Sequence, residues 1–199
     1  IDYRFSKDAP FPAQIHDCKA AVRWLRANAG RYGLDWQHIG VWGTSAGGHL
    51  AALLGTTGGV KDLEGNEGNL DQSSQVQAVC DFYGPTDLAT LSDPQRRDDP
   101  QDAVALLLGG PVNDNLDKAK AASPITYVDK SDPPFLIMHG ERDPVVPVSQ
   151  SKLFYEVLQN AGVESTLRLL PRAGHGFRLT QEIRLQIIAF FAKHLQPPV

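Results

Sequence analysis

No run of apolar residues in this sequence is long enough to cross a membrane. The longest are strand-sized, Phe135 to Met138 among them, against the roughly 18 residues a spanning helix needs. Positive charge is scarce too: 19 Lys and Arg face 23 Asp and Glu, a formal net charge of −4, and the densest basic pair, Arg96 and Arg97, sits among Asp93, Asp98 and Asp99. Such a surface offers nucleic acid no attraction. Cysteine occurs twice, at Cys18 and Cys80, in segments that read as buried, and no third ligand with metal spacing accompanies them. Both read as core thiols rather than as a disulfide framework or a metal site. Long polar low-complexity tracts are missing as well, which excludes disorder. At the amino end Ile1-Asp2-Tyr3-Arg4 shows neither an initiator Met nor a signal-like segment, and reads as the end of a strand entering a loop, with more chain expected ahead of it. The compartment is left open.

What is present, 42% hydrophobic residues in 199, suits one domain spanning residues 1–199 with a sizeable core. Ile15, Cys18, Val22, Leu25 and Ala29 recur at spacings of 3 and 4 and predict a helix ending near Gly30 or Gly33. Strands are predicted at 39–42, 76–82, 135–138 and 165–170, with helices at 49–54, 149–161 and 181–195. Short apolar strands alternating with helices predict parallel βαβ units, an α/β fold whose sheet is covered on both faces. Two segments depart from the alternation. Residues 58–75 are rich in Gly, Asn, Asp and Ser and read as a solvated loop; the oxygens of Asp62, Glu64, Asn66, Asn69 and Asp71 are like those of a calcium loop, but Glu67 stands where an EF-hand needs glycine. Residues 84–130 read as a cap-like excursion, with a polar Pro-containing stretch at 92–101 and short helices near 102–108 and 114–122.

In open parallel sheets ligands bind at the carboxyl ends of the strands, so the residues just past each apolar run carry the chemical information. After the run at 39–42 comes Gly43-Thr44-Ser45-Ala46-Gly47, a G-x-S-x-G pattern; small residues two before and two after the serine relieve crowding where a strand turns directly into a helix. Ser45 is the candidate nucleophile. A serine hydroxyl needs a base, and of six histidines His175 is placed for it, after the last strand in Ala173-Gly174-His175-Gly176-Phe177. His139 reads as structural beneath a turn, His49 as packing, and His16, His38 and His194 as solvated. The imidazole needs a fixed carboxylate, and Asp143 fits best, with Glu141 as its neighbouring competitor and Asp81 and Asp87 as organisers of local loops. The stretch at 43–48 is not G-x-G-x-x-G and holds no Lys, so no nucleotide is expected.

The order Ser45, Asp143, His175 with G-x-S-x-G is that of the α/β-hydrolase fold. Beyond the triad, Gly43 to Ala51, Asp81-Phe82-Tyr83-Gly84-Pro85-Thr86-Asp87-Leu88, His139 to Pro147 and Gly174-His175-Gly176-Phe177 resemble its esterase/lipase branch, nearly end to end. The chain is most similar to bacterial carboxylesterases of the acetyl-xylan and feruloyl esterase type. The resemblance implies a serine carboxylesterase that hydrolyses short-chain acyl esters through an acyl-enzyme, acetyl or feruloyl groups on plant polysaccharide among them. Its partner is a small-molecule or polysaccharide-linked ester; no cofactor and no metal is implied. Tyr83 and Phe177 are the candidates for the substrate pocket. The resemblance also implies an earlier strand and a His-Gly-Gly-Gly-like loop supplying oxyanion donors, neither of which these residues contain. The first strands are therefore expected to be missing. Ile1 to Arg4 is expected to end the fourth strand, with a gap between it and the strand before Ser45, and the Ala46 N–H is the oxyanion donor present. A separate N-terminal segment is expected to complete the fold. A serine peptidase or amidase of the same fold, and an inactive binding domain dependent on such a segment, are the competing readings.

Overall fold

The computed structural model describes residues 1–91 and 99–196; the pair Arg96 and Arg97, with most of the Pro-containing stretch, lies outside the described residues. Among the described residues four strands, β1 (Gly40–Thr44), β2 (Ala78–Phe82), β3 (Phe135–Gly140) and β4 (Ser165–Leu170), form one parallel sheet in the order β1-β2-β3-β4. Alternation along β2 and β3 divides the core in two, because successive side chains of a strand point to opposite faces. Val79, Phe135 and Ile137 face Ile15, Cys18 and Val22 of α1 (Ala13–Ala27), Leu50 and Leu53 of α3 (Ala46–Thr56), and Phe154 and Leu158 of α7 (Ser149–Ala161). Cys80, Phe82, Leu136 and Met138 face Ile183 and Ile187 of α8 (Gln181–Leu195). Each fully buried Leu, Ile or Phe of this kind contributes roughly 1.5–3 kcal/mol. Both cysteines are buried and unpaired; burial pushes the Cys18 thiol up to about 12 and raises that of Cys80 as well.

The predicted first helix divides. α1 stops at Ala27, a one-turn helix α2 (Ala29–Tyr32) follows, and Gly33 at φ 65° ends it, a conformation glycine adopts without strain. Between β2 and β3 the chain runs through α4 (Leu88–Leu91), α5 (Ala103–Leu108) and α6 (Leu116–Ala121), joined by 3-10 turns. Asp102 caps α5 by accepting from the Val104 N–H. Gln150 of α7 anchors the start of this excursion: its Oε1 accepts from the Thr86 and Asp87 N–H groups at 2.8 and 2.7 Å.

Two expectations are modified. Ile1 to Arg4 forms no strand, and Arg4 ties this irregular segment to α1 through Asp17; the expected gap is there, a cavity of about 160 Å³ between Ile1 and Tyr3 on one side and Val41, Trp42 and Gly43 of β1 on the other. The 58–75 loop is solvated along much of its length, with Asp62, Asn66 and Asp71 exposed, but its inner side is held. Lys19, Arg23 and Arg26 project from α1 at one-turn intervals, all 9% exposed or less, and grip it. Lys19 Nζ donates to Thr57 O and Glu64 Oε1, Arg23 to Glu64 Oε2 and the carbonyls of Glu64, Glu67 and Gly68, and Arg26 to the carbonyls of Trp36, Ser73 and Gln75. Of the oxygen-bearing residues that resembled a calcium loop, Glu64 is the one that meets these cations, pairing with both Lys19 and Arg23. Among the described residues no group of three or more His, Cys, Asp or Glu is arranged to hold a metal.

Candidate active site

β1 ends and α3 begins within one residue, and Ser45 takes the turn at φ 53°, ψ −121°, a conformation of order 1–3 kcal/mol uphill for a non-glycine residue. Neighbouring backbone holds it there: the Ser45 N–H donates to Phe82 O of β2 at 2.9 Å, and Ser45 O accepts from the His49 N–H at 3.0 Å. The glycines around it are not equivalent. A Cβ on Gly43 would run into the Gly47 carbonyl, and one on Gly48 would stand 2.5 Å from Asp81 Oδ1, but one on Gly47 would meet nothing. Steric relief therefore falls at Gly43 and Gly48, not at the second glycine of the motif.

The three candidates from three strand ends meet here. His175 Nε2 lies 2.9 Å from Ser45 Oγ, and His175 Nδ1 lies 2.7 Å from Asp143 Oδ2. An ionised carboxylate only accepts, so Nδ1 carries a proton and Nε2 is left to face the serine hydroxyl. The other carboxylate oxygen, Asp143 Oδ1, accepts from the Val145 and Val146 N–H groups at 2.8 and 2.9 Å. Burial alone would raise the Asp143 carboxyl, but the hydrogen bonds from His175, Val145 and Val146 outweigh it and hold the group below its ordinary value. It is ionised at neutral pH and held at both oxygens. Ala46 opens α3, so its N–H is among those a helix leaves without intrahelical partners, at the positive end of the dipole.

The remaining candidates fall away for visible reasons. Glu141 is exposed, and Asp87 caps the turn into α4 by accepting from the Ala89 N–H. His49 is buried and donates from Nε2 to Ala122 O at 2.6 Å, joining α3 to the excursion. His38 pairs with Asp35, His194 lies 3.7 Å from Glu164 and His16 lies 4.0 Å from Glu67, so none of the three is simply solvated. Asp81 is wholly buried, accepts from the Gly84 N–H, and is pushed up to about 7 by burial.

Tyr83 and Phe177 stand beside the base. Tyr83, at φ 43° and 7% exposed, sets its ring edge-on to His175 at 4.7 Å and to Phe177 at 5.1 Å, so the two aromatics wall the imidazole. The cavity beside Ala46 is lined by Tyr3, Phe5, Pro85, Leu88, Val104 and Leu107, among others, and holds about 230 Å³. The sequence points to the excursion between Tyr83 and Tyr127 as the place of the pocket but names none of these residues, because neither it nor the irregular amino segment carries a periodic signal.

A family model described as BD-FAE matches residues 1–158, a span that includes Ser45 and Asp143. The chain belongs to the BD-FAE family. This BD-FAE chain is 37% identical over 190 residues to Esterase LipQ of Mycobacterium tuberculosis, covering 95% of the chain and 44% of LipQ. Among solved structures it is similar to a truncated form of a carbohydrate esterase from gut microbiota (40% identity, TM-score 0.91, 97% of this chain and 72% of that one). It is also similar to a bifunctional GH43-CE protein of Bacteroides eggerthii (43% identity, TM-score 0.93, 98% of this chain and 27% of that one). The chain thus spans less than half the length of the curated relative. The chain itself has the α/β-hydrolase fold.

Proposed function

We propose that this chain carries the active site of a serine carboxylesterase acting through an acyl-enzyme. The observation that carries the reading is the relay from Ser45 Oγ to His175 to Asp143, at 2.9 and 2.7 Å, beside the first N–H groups of α3. Ser45 Oγ attacks the ester carbonyl carbon as His175 Nε2 takes its proton; Asp143 stabilises the imidazolium, and the Ala46 N–H meets the negative oxygen. Collapse of the tetrahedral adduct transfers the proton to the leaving alcohol. Water, deprotonated by the same imidazole, then releases the acid.

The 230 Å³ apolar cavity next to Ala46 suits a short acyl group, and the carbohydrate esterase named among the structural neighbours supports an acetylated saccharide as the ester. The test is a fluorophosphonate, which reacts with an activated serine whatever the substrate, followed by a panel of an acetylated xylo-oligosaccharide, a feruloyl ester, a peptide and an aryl formamide. An adduct on Ser45 and highest kcat/KM on the acetyl ester are expected. Labelling elsewhere, or none on folded protein, overturns the serine reading; preference for the peptide or formamide overturns the ester reading alone.

A further inference from the structure

The relay does not end at Asp143. His139 is the penultimate residue of β3, four residues before Asp143, and is wholly buried. Its Nε2 lies 2.9 Å from Val146 O and 3.3 Å from Asp143 Oδ2, and both of those oxygens can only accept. The proton is therefore on Nε2. Its other nitrogen, Nδ1, lies 2.7 Å from Ser151 Oγ of α7, whose hydroxyl supplies the hydrogen. A ring with one nitrogen donating and the other accepting is neutral and cannot turn over without breaking both contacts. Burial lowers its basicity, in keeping with that state.

We infer that His139 is a positioning residue for Asp143: oriented by Ser151, it pins the Val146 carbonyl and sets an N–H against the carboxylate oxygen that also receives His175. Val146 links the two effects. Its carbonyl is fixed by His139 while its N–H, with that of Val145, grips Asp143 Oδ1. Without His139 the turn from Asp143 to Val146 loses its tie to the end of β3, and the carboxylate keeps no fixed angle to His175 Nδ1. The expected signature is in turnover rather than affinity, because His139 stands behind Asp143 and away from the Ala46 cavity, whose walls do not include it. Misplacing a catalytic group by about 1 Å lowers rate by about 10²-fold.

The inference rests on the serine carboxylesterase reading, and the test separates the two. Wild type, His139→Leu, His139→Gln and Ser151→Ala are compared by thermal unfolding, by kcat and KM on 4-nitrophenyl acetate, and by the rate of Ser45 labelling with a fluorophosphonate. His139→Leu should lose about 10²-fold in kcat with KM within about twofold. Gln carries an N–H to nearly the same place as Nε2, so His139→Gln should recover at least about tenfold of that loss. Ser151→Ala, which frees the ring without removing its N–H, should fall between wild type and His139→Leu. Folded His139→Leu that turns over and labels like wild type overturns the inference and leaves the esterase reading standing. Equal losses in the Leu and Gln variants, tracking unfolding temperature, reduce His139 to packing and overturn it too. Should His139→Leu not fold, Ser151→Ala decides: wild-type kcat in that variant overturns the inference. Wild type that neither labels nor turns over overturns both readings together.

Discussion

At the amino ends of the strands a groove of about 630 Å³ runs past Gln75, Gln77, Tyr127, Ser131 and Asp132, whereas the cavity at the carboxyl ends, beside Ala46, holds about 230 Å³. The larger has more polar side chains along it, yet its groups already face one another. Gln77 Oε1 accepts from Arg26 and from the Ile39 N–H, Tyr127 donates to Ala121 O, Asp132 accepts from the Asp129 N–H, and Asp129 holds Ser131. Asp132, pushed up to about 7 by burial, adds to this inward-facing set. At the carboxyl ends a polar network runs from Ser151 to His139, whose Nε2 lies 3.3 Å from Asp143 Oδ2, and on by hydrogen bonds through His175 to Ser45 Oγ, where it stops on a half-buried residue with lone pairs to offer an electrophile. Reactivity here follows from a network with an open end, not from the volume of a depression.

The contrast is broken or sharpened by four substitutions. Largest is Ser45→Ala, which should lower kcat on an acetyl ester by at least about 10⁴-fold with unfolding temperature unchanged; retained turnover would show that the open end is elsewhere. Next, Glu64→Ala leaves Lys19 and Arg23 buried without their carboxylate and should destabilise the fold by roughly 3–5 kcal/mol in urea unfolding, while kcat/KM of the folded enzyme stays put. A drop in activity without a drop in stability would join the clamp to the site and erase the distinction.

Asp81 gives an effect that depends on pH. Its carboxyl titrates at about 7 in the fold against 3.8 ordinarily, so the folded state binds the proton more tightly. That stabilisation is complete below about pH 4 and fades as pH rises to about 7, by at most on the order of 4 kcal/mol. Asp81→Asn removes the titration, so its stability relative to wild type should be greater at pH 8 than at pH 5; an equal difference at both would show that Asp81 ionises as freely in the fold as in solution. The neutral, buried His139 and His49 act in the opposite sense, since burial lowers both and protonation then favours unfolding as pH falls below about 6.5. Smallest is Gln75→Ala in the amino-end groove, expected to shift stability by no more than about 0.5 kcal/mol and to leave kcat/KM unaltered. A marked loss on saccharide esters alone would make that groove a binding site.

The strands and the triad were legible because their signals are local: short apolar runs give the sheet, and a parallel sheet tells where to look for Ser45, Asp143 and His175. The clamp was not, because the partners of Lys19, Arg23 and Arg26 are mostly backbone carbonyls, which every residue possesses and no composition reveals. Read as polar positions flanking the stripe of Ile15, Cys18 and Val22, those three cations look like a solvated edge of α1. The solvated character of Asp62, Asn66 and Asp71 was legible, but nothing in the sequence marks Glu64 as the carboxylate that Lys19 and Arg23 share. Tyr83 and Phe177 were legible as neighbours of the base, and the structure sets Tyr83 against the His175 ring and Phe177 against Tyr83.

Ser45 and His175 stand 130 residues apart in the chain, and Asp143 and His175 stand 32 apart, yet the imidazole touches both. No stretch of the polypeptide shorter than the longer of these spans can assemble the nucleophile with its base. The proposed hydrolysis must therefore wait, during synthesis, until β4 has docked and the turn beyond it has emerged, long after Ser45 has left the ribosome. In a refolding experiment this makes ester cleavage a late clock: its return times the docking of the last strand, whereas a probe of α1 and its clamped loop would report an earlier event.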